Sequence, residues 1–287
     1  MTTAIADRGE LVVRERRWPW GARTYVMGIV NVTPDSFSGD GRPESHDAVA
    51  HALALLDAGA DFIDIGAEST RPGYTAVSSN DEIARLEPVV RGVRAAAPDA
   101  MISIDTYKPD VFAVARKAGG DMLNSIWGLE GELLETAIAA GVPVVIMHNK
   151  SEAVYPDGVV EETLSYLAGA GARAVRAGIA AERVILDPGI GFGKTPEQNI
   201  EILAALDRFV ALGFPTLVGT SRKSPLGRLT GRPVTQRTYA TAATVALAAA
   251  AKIDIVRVHD VEPMRDVVTV ADAIVRGVRP AGWPKDA

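Results

Sequence analysis

Asp105, Asn124 and Asp187 place carboxylates beside an amide, and Arg257 and His259 stand two residues apart near the end of the chain. Each lies at the close of a short β-rich run. The same is true of Asn31, of Asp64 leading into Glu68-Ser69-Thr70-Arg71, of Met147-His148-Asn149 and of Ser221-Arg222-Lys223-Ser224. Acceptors next to an amide suit a heterocycle rich in N–H donors, such as a 2-amino-pyrimidinone. Arginines with a histidine suit a polyphosphate leaving group, because a guanidinium presents a fixed fork of donors. Residues two apart on a strand share a face, so Arg257 and His259 point the same way.

Single residues admit bland readings. Asp105-Thr106 would serve as a helix cap, Asp187-Pro188-Gly189 as a turn, His148 as a satisfied rim histidine, and His46 and His51 as solvated side chains. Eight strand ends that all finish in polar groups outweigh those readings taken one at a time. A glycosidase pair made of Asp105 and Asp187 is disfavoured, since Arg71, Lys223 and Arg257 crowd the same mouth with positive charge. The run Asp187 to Thr195 is not a nucleotide loop. Pro188 stands where a Walker A glycine is required, and Lys194 where a dinucleotide fingerprint needs glycine. It predicts instead a capping box with Thr195 as N-cap, Pro196 at the first helical position and Gln198 closing it. No His and acidic residues have zinc spacing, whereas Mg2+ held by Asn31 and phosphate oxygens fits the donors present.

The elements that must carry these residues alternate on one beat. β-rich runs are predicted at 26–31, 60–65, 101–105, 121–125, 143–147, 183–187, 215–219 and 255–259. Helical patterns lie between them at 47–58, 81–97, 109–118, 131–140, 160–178, 196–207, 238–251 and 262–278. Eight such units imply an α/β fold, a (β/α)8 TIM barrel forming a single domain at 26–280. Residues 1–25 are expected to form an extension with a β-hairpin across the barrel's closed end, and 281–287 a tail. The hairpin is expected to pair residues 11–14 with 23–25 around a turn at Pro19-Trp20-Gly21. Long loops follow the first two strands, from Val32 to about His46 and from Ala67 to about Asn80. In a barrel such loops border the active face, so they are expected to act as lids.

Bulk composition sets limits. The 287 residues carry 30 basic and 36 acidic side chains, a net charge of −6, so no global field draws nucleic acid or an anionic membrane. There is no cysteine, hence no disulfide, thiolate metal site or thiol nucleophile. The polar N-terminus lacks a signal-peptide core, and a cytoplasmic location is expected. Ala240 to Ala251 is the most apolar stretch and is too short to span a membrane.

Met27-Gly28-Ile29-Val30-Asn31-Val32-Thr33-Pro34-Asp35-Ser36-Phe37-Ser38 resembles the opening signature of dihydropteroate synthases. Asp64 to Gly73 is similar to their second signature. Ser103 to Thr106, Asp187 to Lys194, Gly219 to Ser224 and Arg257 to Val261 follow in family order. The resemblance implies condensation of a dihydropterin diphosphate with p-aminobenzoate, with Mg2+ as cofactor, and a homodimer joined through the late helices. It also implies a pocket that sulfonamides contest.

The roles that it implies attach to matching positions. Asp105, Asn124, Asp187 and Lys223 would hold the pterin ring, with Met147, Phe192 and Gly219 shaping its slot. Asn31, Thr70, Arg71, Arg257 and His259 would bind the diphosphate, Asn31 through the metal. Thr70, Pro72, Phe37, Lys223 and Ser224 would surround p-aminobenzoate, and Asp35 would help to close the first loop. Arg71, Lys223, Arg257, His259 and Asp35 are the groups expected to act on the reaction itself. Three positions depart from the family: Ser125 in place of an acidic residue, Ala67 in place of a glycine, and a shifted Ser38-Gly39-Asp40-Gly41. Ser125 is expected to alter the polarity of the ring site modestly. A pterin-binding methyltransferase would not need the Thr33 to Ser38 or Ser221 to Ser224 loops, and a non-catalytic pterin-binding paralogue would be expected to lose Arg71, Lys223 or the first loop.

Overall fold

The computed structural model describes residues 8–32, 44–68, 76–279 and 282–284. It opens with an antiparallel hairpin, β1 (Glu10–Val13) and β2 (Arg16–Pro19), in which Leu11 opposes Trp18. The hairpin is therefore tighter than the sequence predicts. Its turn is Arg14-Glu15, both with positive φ (49° and 64°), and not Pro19-Trp20-Gly21. Two-residue turns of this kind normally advertise themselves with Asn or Gly, and this pair carries neither signal.

The barrel then runs β3 (Tyr25–Asn31), α1 (Glu44–Asp57), β4 (Phe62–Gly66), α2 (Ser79–Ala96), β5 (Ile102–Asp105), α3 (Pro109–Ala118) and β6 (Met122–Ser125). It continues with α4 (Gly131–Ala140), β7 (Val144–Met147), α5 (Val159–Arg176), β8 (Val184–Asp187), α6 (Pro196–Ala204) and α7 (Leu206–Val210). It closes with β9 (Leu217–Val218), α8 (Ser224–Thr230), α9 (Thr238–Ala250), β10 (Ile255–Val258) and α10 (Val261–Val275). All neighbouring pairs from β3 to β10 are parallel. The ring is closed between β8 and β9 by the Leu186–Thr216 bridge, reinforced where Leu186 N–H donates to Pro215 O at 2.9 Å.

Two predicted elements are changed. The helix expected at 196–207 breaks at Ala205 into α6 and α7, and the capping box at Thr195 and Gln198 is formed in full. α8 has no counterpart in the sequence reading. Its seven residues, Ser-Pro-Leu-Gly-Arg-Leu-Thr, hold a proline and a glycine, so neither propensity nor period marks it.

Strand alternation sorts the core into two layers. Val26, Val30, Ile63, Ile65, Ile104, Leu123, Ile146, Leu186 and Val256 face outward against the helices. Met27, Phe62, Met101, Met122, Val145, Ile185, Leu217 and Ile255 face inward at the lower end, where Leu11, Trp18 and Trp20 of the hairpin plug the barrel. Trp18 and Phe62 pack with centroids 5.4 Å apart. Removing such a buried indole typically costs about 3–5 kcal/mol. Asp254 locks the plug, accepting from Arg8, from Gly21 N–H at 3.0 Å and from Thr216 N–H at 2.9 Å.

The same period of two lifts a second set of inward positions above the plug. Asp64, Asp105, Asn124, Met147, Asp187, Gly219, Arg257 and His259 occupy it, because each follows an inward apolar residue by two or four places. The plug below and this polar set above are one pattern.

Candidate active site

A salt-bridge network forms the floor of the mouth. Arg257 Nε donates to Asp64 Oδ2 at 2.6 Å, and its Nη2 donates to Asp105 Oδ2 at 2.8 Å. Asn124 Nδ2 donates to the same Asp64 oxygen at 3.0 Å. One guanidinium thus serves two carboxylates. Burial pushes Asp105 up to about 7, with Arg257 pulling it down and Asp64 pushing it further up. Asp64 is fully buried, and its Oδ1 has no hydrogen-bond partner among the described residues.

The opposite wall is built on Asp187 and the glycine-rich turn after β8. Asp187 Oδ1 accepts from Gly189 N–H at 2.7 Å, and burial raises its pKa above the ordinary carboxylate value. Gly189 (φ 72°) and Gly193 (φ 56°) lie flush on the chain after β7, and a Cβ on either would overlap the carbonyl oxygen of His148 or Lys150. Only glycine fits that approach. Above the turn, Lys223 Nζ stands 4.5 Å from the centre of the Phe192 ring and donates to Ile190 O. Burial lowers this ammonium to about 8, which leaves it a cation at neutral pH.

The Lys223 backbone is set by the turn that precedes α8. Arg222 has φ 58° and pairs with Asp260 through Nε at 3.1 Å and Nη2 at 2.5 Å. Arg237 Nη1 donates to Arg222 O at 2.8 Å, and a Cβ on Gly227 would overlap its guanidinium. Ser224 is exposed as the first residue of α8. His259 Nδ1 lies 2.9 Å from Ser221 Oγ, which also accepts from His259 N–H at 3.1 Å. Gly219 leaves only ordinary contact room, with a Cβ 3.7 Å from Arg257 Cβ, so a side chain there would intrude on the mouth.

Asn31 is half-buried at the end of β3. Asp35, Phe37, Thr70, Arg71 and Pro72, and with them both long loops, lie outside the described residues. The flanks of the second loop are tied together by Lys108, which donates to Glu68, to Glu82 Oε2 at 2.7 Å and to Val77 O at 2.6 Å. Tyr107 adds a hydroxyl bond to Glu68 Oε1 at 2.9 Å. Among the described residues no three His, Cys, Asp or Glu side chains gather to hold a metal.

A mouth with three carboxylates, an amide, a lowered lysine, an arginine and a histidine can hold a flat, donor-rich ring and meet an anion at its edge. Residues 27–259 match the pterin binding enzyme family. The dihydropteroate synthase of Clostridium beijerinckii is 44% identical over 260 residues, covering 89% of this chain and 96% of that protein. This chain belongs to the dihydropteroate synthase family of pterin-binding enzymes. Its fold is that of the dihydropteroate synthase of Xanthomonas albilineans with 4-aminobenzoic acid, at a TM-score of 0.89 and 42% identity over 94% of this chain and 99% of that one. The Clostridium difficile dihydropteroate synthase in the presence of pteroic acid matches at a TM-score of 0.87 and 42% identity, over 90% and 99% of the two chains.

Within this dihydropteroate synthase barrel, Asp105, Asn124, Asp187, Met147, Phe192, Gly219, Lys223, Arg257 and His259 stand on one mouth. Asp105 is not a helix cap, since α3 is preceded by Lys108. Arg257 is engaged by two carboxylates, Asp64 and Asp105. Sequence reading assigned no role to Asp64, Ser221, Lys194 or Arg237. Asp64 was legible in principle, as an acidic residue in the middle of an apolar strand, whereas Arg237 carries no local signal at all.

Ser125 corrects an expectation. It is fully buried and pairs in register with outward-facing Ile146, while Asn124 pairs with inward-facing Val145. Alternation therefore puts Ser125 on the helix side of β6, away from the ring site.

Proposed function

We propose that this enzyme joins (dihydropterin-6-yl)methyl diphosphate to p-aminobenzoate, giving dihydropteroate and diphosphate. The observation that carries the reading is the mouth itself: Asp105, Asn124, Asp187 and Lys223 face one slot, with Arg257 on β10 and His259 just past its end beside it. Asp187 and Asp105 would accept from ring N–H groups, Asn124 would offer both donor and acceptor, and Lys223 would donate to the ring carbonyl. Met147, Phe192 and Gly219 would bound the ring. Arg257 and His259, with Asn31, Thr70 and Arg71, would take the diphosphate. Thr70, Pro72, Phe37 and Ser224 would receive p-aminobenzoate, with Asp35 beside them.

The chemistry asks little of a base. The methylene C–O bond breaks with its electron pair leaving on diphosphate, the dihydropterin ring carries the resulting cation, and the aniline nitrogen supplies the pair for the new C–N bond and then loses its proton. An aniline is already neutral near pH 7, so the chain's task is to bind, to orient and to gather negative charge. Mg2+ fits as an ion brought with the diphosphate. Asn31 would be its protein ligand, with diphosphate oxygens and waters completing the shell, and it would offset leaving-group charge when bound.

The homodimer expected from the family belongs to the same proposal. Tyr239 and Leu247 of α9 and Val270 and Ile274 of α10 are 90%, 62%, 60% and 77% exposed on two helices that pack together. Large apolar groups grouped on one side of a barrel favour a partner surface. Among the described residues no helix is long and apolar enough to cross a membrane. The cytoplasmic setting remains part of this reading.

The deciding experiment is diphosphate release from the dihydropterin substrate with Mg2+, with and without p-aminobenzoate. Release coupled to dihydropteroate formation is expected. Folded protein that binds a pterin and releases nothing with either substrate would overturn the reading in favour of a non-catalytic family member.

A further inference from the structure

One ammonium near the slot has no part in the reaction described above. Lys194 ends the glycine-rich turn, and its Nζ stands 3.1 Å from Gly189 O, 3.1 Å from Phe192 O and 3.0 Å from His148 Nδ1. The three partners come from two places: the turn after β8 and the residue just past β7. In its charged form Lys194 has three N–H donors and no acceptor, and two carbonyls and one imidazole lone pair use it fully.

The imidazole is suited to that duty. His148 is buried, with Tyr166 edge-on at 5.1 Å and Tyr155 at 5.9 Å. Burial, with Lys194 and Lys150 nearby, pushes its pKa down to about 3, so the ring is neutral and, in the tautomer protonated at Nε2, Nδ1 accepts from Lys194. Burial also lowers Lys194 to about 7, with Asp187 opposing the shift and Lys223 and Lys150 adding to it. The turn is also braced from within and from α6, where Phe192 N–H donates to Gly189 O at 3.2 Å and Gly191 N–H to Asn199 Oδ1 at 2.6 Å, and Lys194 adds the tie to His148. Gly189 and Gly193 supply close approach but no side chain, and the Tyr155 hydroxyl bonds only Gly193 O, at 2.8 Å.

What the turn carries matters for the slot. Phe192 gives Lys223 its ring face, and Ile190 gives it a carbonyl. Both supports belong to the segment whose ends, Gly189 and Phe192, are gripped by Lys194.

We propose that Lys194 is a positioning residue of the pterin slot: it pins the 189–192 turn to His148 and thereby fixes Phe192 and the Lys223 ammonium where a pterin ring meets them. The inference rests on the pterin reading of the mouth. Its effect is selective. Phe192 bounds the ring and Ile190 O holds the Lys223 ammonium that donates to it, so losing the pin weakens pterin binding and affects p-aminobenzoate, which Lys223 meets as one group among five, much less.

The test compares wild type with Lys194→Met, which keeps the aliphatic stem, and Lys194→Gln, which keeps a shorter reach with amide donors. Calorimetry with 6-hydroxymethylpterin as the probe is expected to show affinity about tenfold weaker for the Met variant, the scale of losing one polar tie that orders the slot. The Gln variant is expected to fall between. The KM for the dihydropterin diphosphate should rise in parallel while the KM for p-aminobenzoate stays within twofold. Unchanged pterin affinity in a folded variant would overturn the proposal, and so would an equal rise in both KM values, which marks a general structural role. If Lys194→Met does not fold, Lys194→Gln carries the same decision. Wild-type protein that binds no pterin would instead defeat the reading of the mouth, a result separable from either.

Discussion

Asp64 and Asp105 share one guanidinium, and burial, with Asp64 adding to it and Arg257 opposing it, raises the Asp105 carboxyl to about 7. In an unfolded chain it would release its proton near 4, whereas folded it keeps the proton until about 7. The folded state therefore binds more protons across that window. Its contribution to stability is fully present below pH 4 and is lost as pH rises through 7. Asp105→Asn removes the titration, so the stability difference between variant and wild type should move in the variant's favour from pH 4.5 to pH 7.5. Urea unfolding at the two pH values measures this, and a constant difference would show that Asp105 ionises normally. Asp187 makes a second prediction at the same scale. Asp187→Asn exchanges a carboxylate acceptor for an amide with one donor end, and pterin affinity measured by calorimetry should fall by about tenfold or more. Unchanged affinity would remove Asp187 from the slot.

Strands decide which residues reach the mouth, and they do so by parity. Asn124 and Ser125 are adjacent, yet one meets Asp64 inside the barrel and the other is buried on the helix side of β6. Ser125 Oγ has no hydrogen-bond partner among the described residues. Ser125→Ala should consequently leave pterin affinity within about twofold and leave the thermal midpoint unchanged or slightly raised, since a buried hydroxyl without a partner contributes little. A large loss of pterin affinity would mean that Ser125 borders the slot after all. Short connecting elements matter as much as the strands. The Arg222 turn and α8 present Lys223, and they are held by Asp260 just before α10 and by Arg237 just before α9. A lysine whose stem starts from so constrained a backbone loses little freedom when it meets a ligand.

For the whole molecule, a barrel places its chemistry at one end and leaves its helices to meet solvent or a partner. α10 exposes Val270 and Ile274 one turn apart on one face, and α9, which packs against it, exposes Leu247. Leu247→Glu combined with Ile274→Glu should convert a dimer to monomer in sedimentation velocity, with the fold retained by circular dichroism. Wild-type protein that sediments as a monomer at tens of micromolar would defeat the homodimer reading before any variant is made.

Most of the architecture was legible in the chain. Period-two runs alternating with period-3.6 runs marked eight strands and their helices to within a few residues, because each element buries one face against a neighbouring layer. α3 and α4 fall on the predicted limits, Pro109–Ala118 and Gly131–Ala140. The polar strand ends were legible for the same reason: a residue that interrupts an apolar run at its C-terminal end stands out. Local sequence could not give the Arg14-Glu15 turn, which has no glycine, or α8, which is too short for a period. It also could not pair residues distant in the chain. Arg257 meets Asp64 across 193 positions, and Lys194 meets His148 across 46. Chain chemistry by itself determined which residues carry charge, which face of each strand is polar and how the elements succeed one another. Tertiary structure alone decided that Arg257 serves two carboxylates, that Ser125 lies outside the ring site and that Lys194 grips the turn beneath Phe192, because closing a ring of strands is what brings those side chains within hydrogen-bond reach.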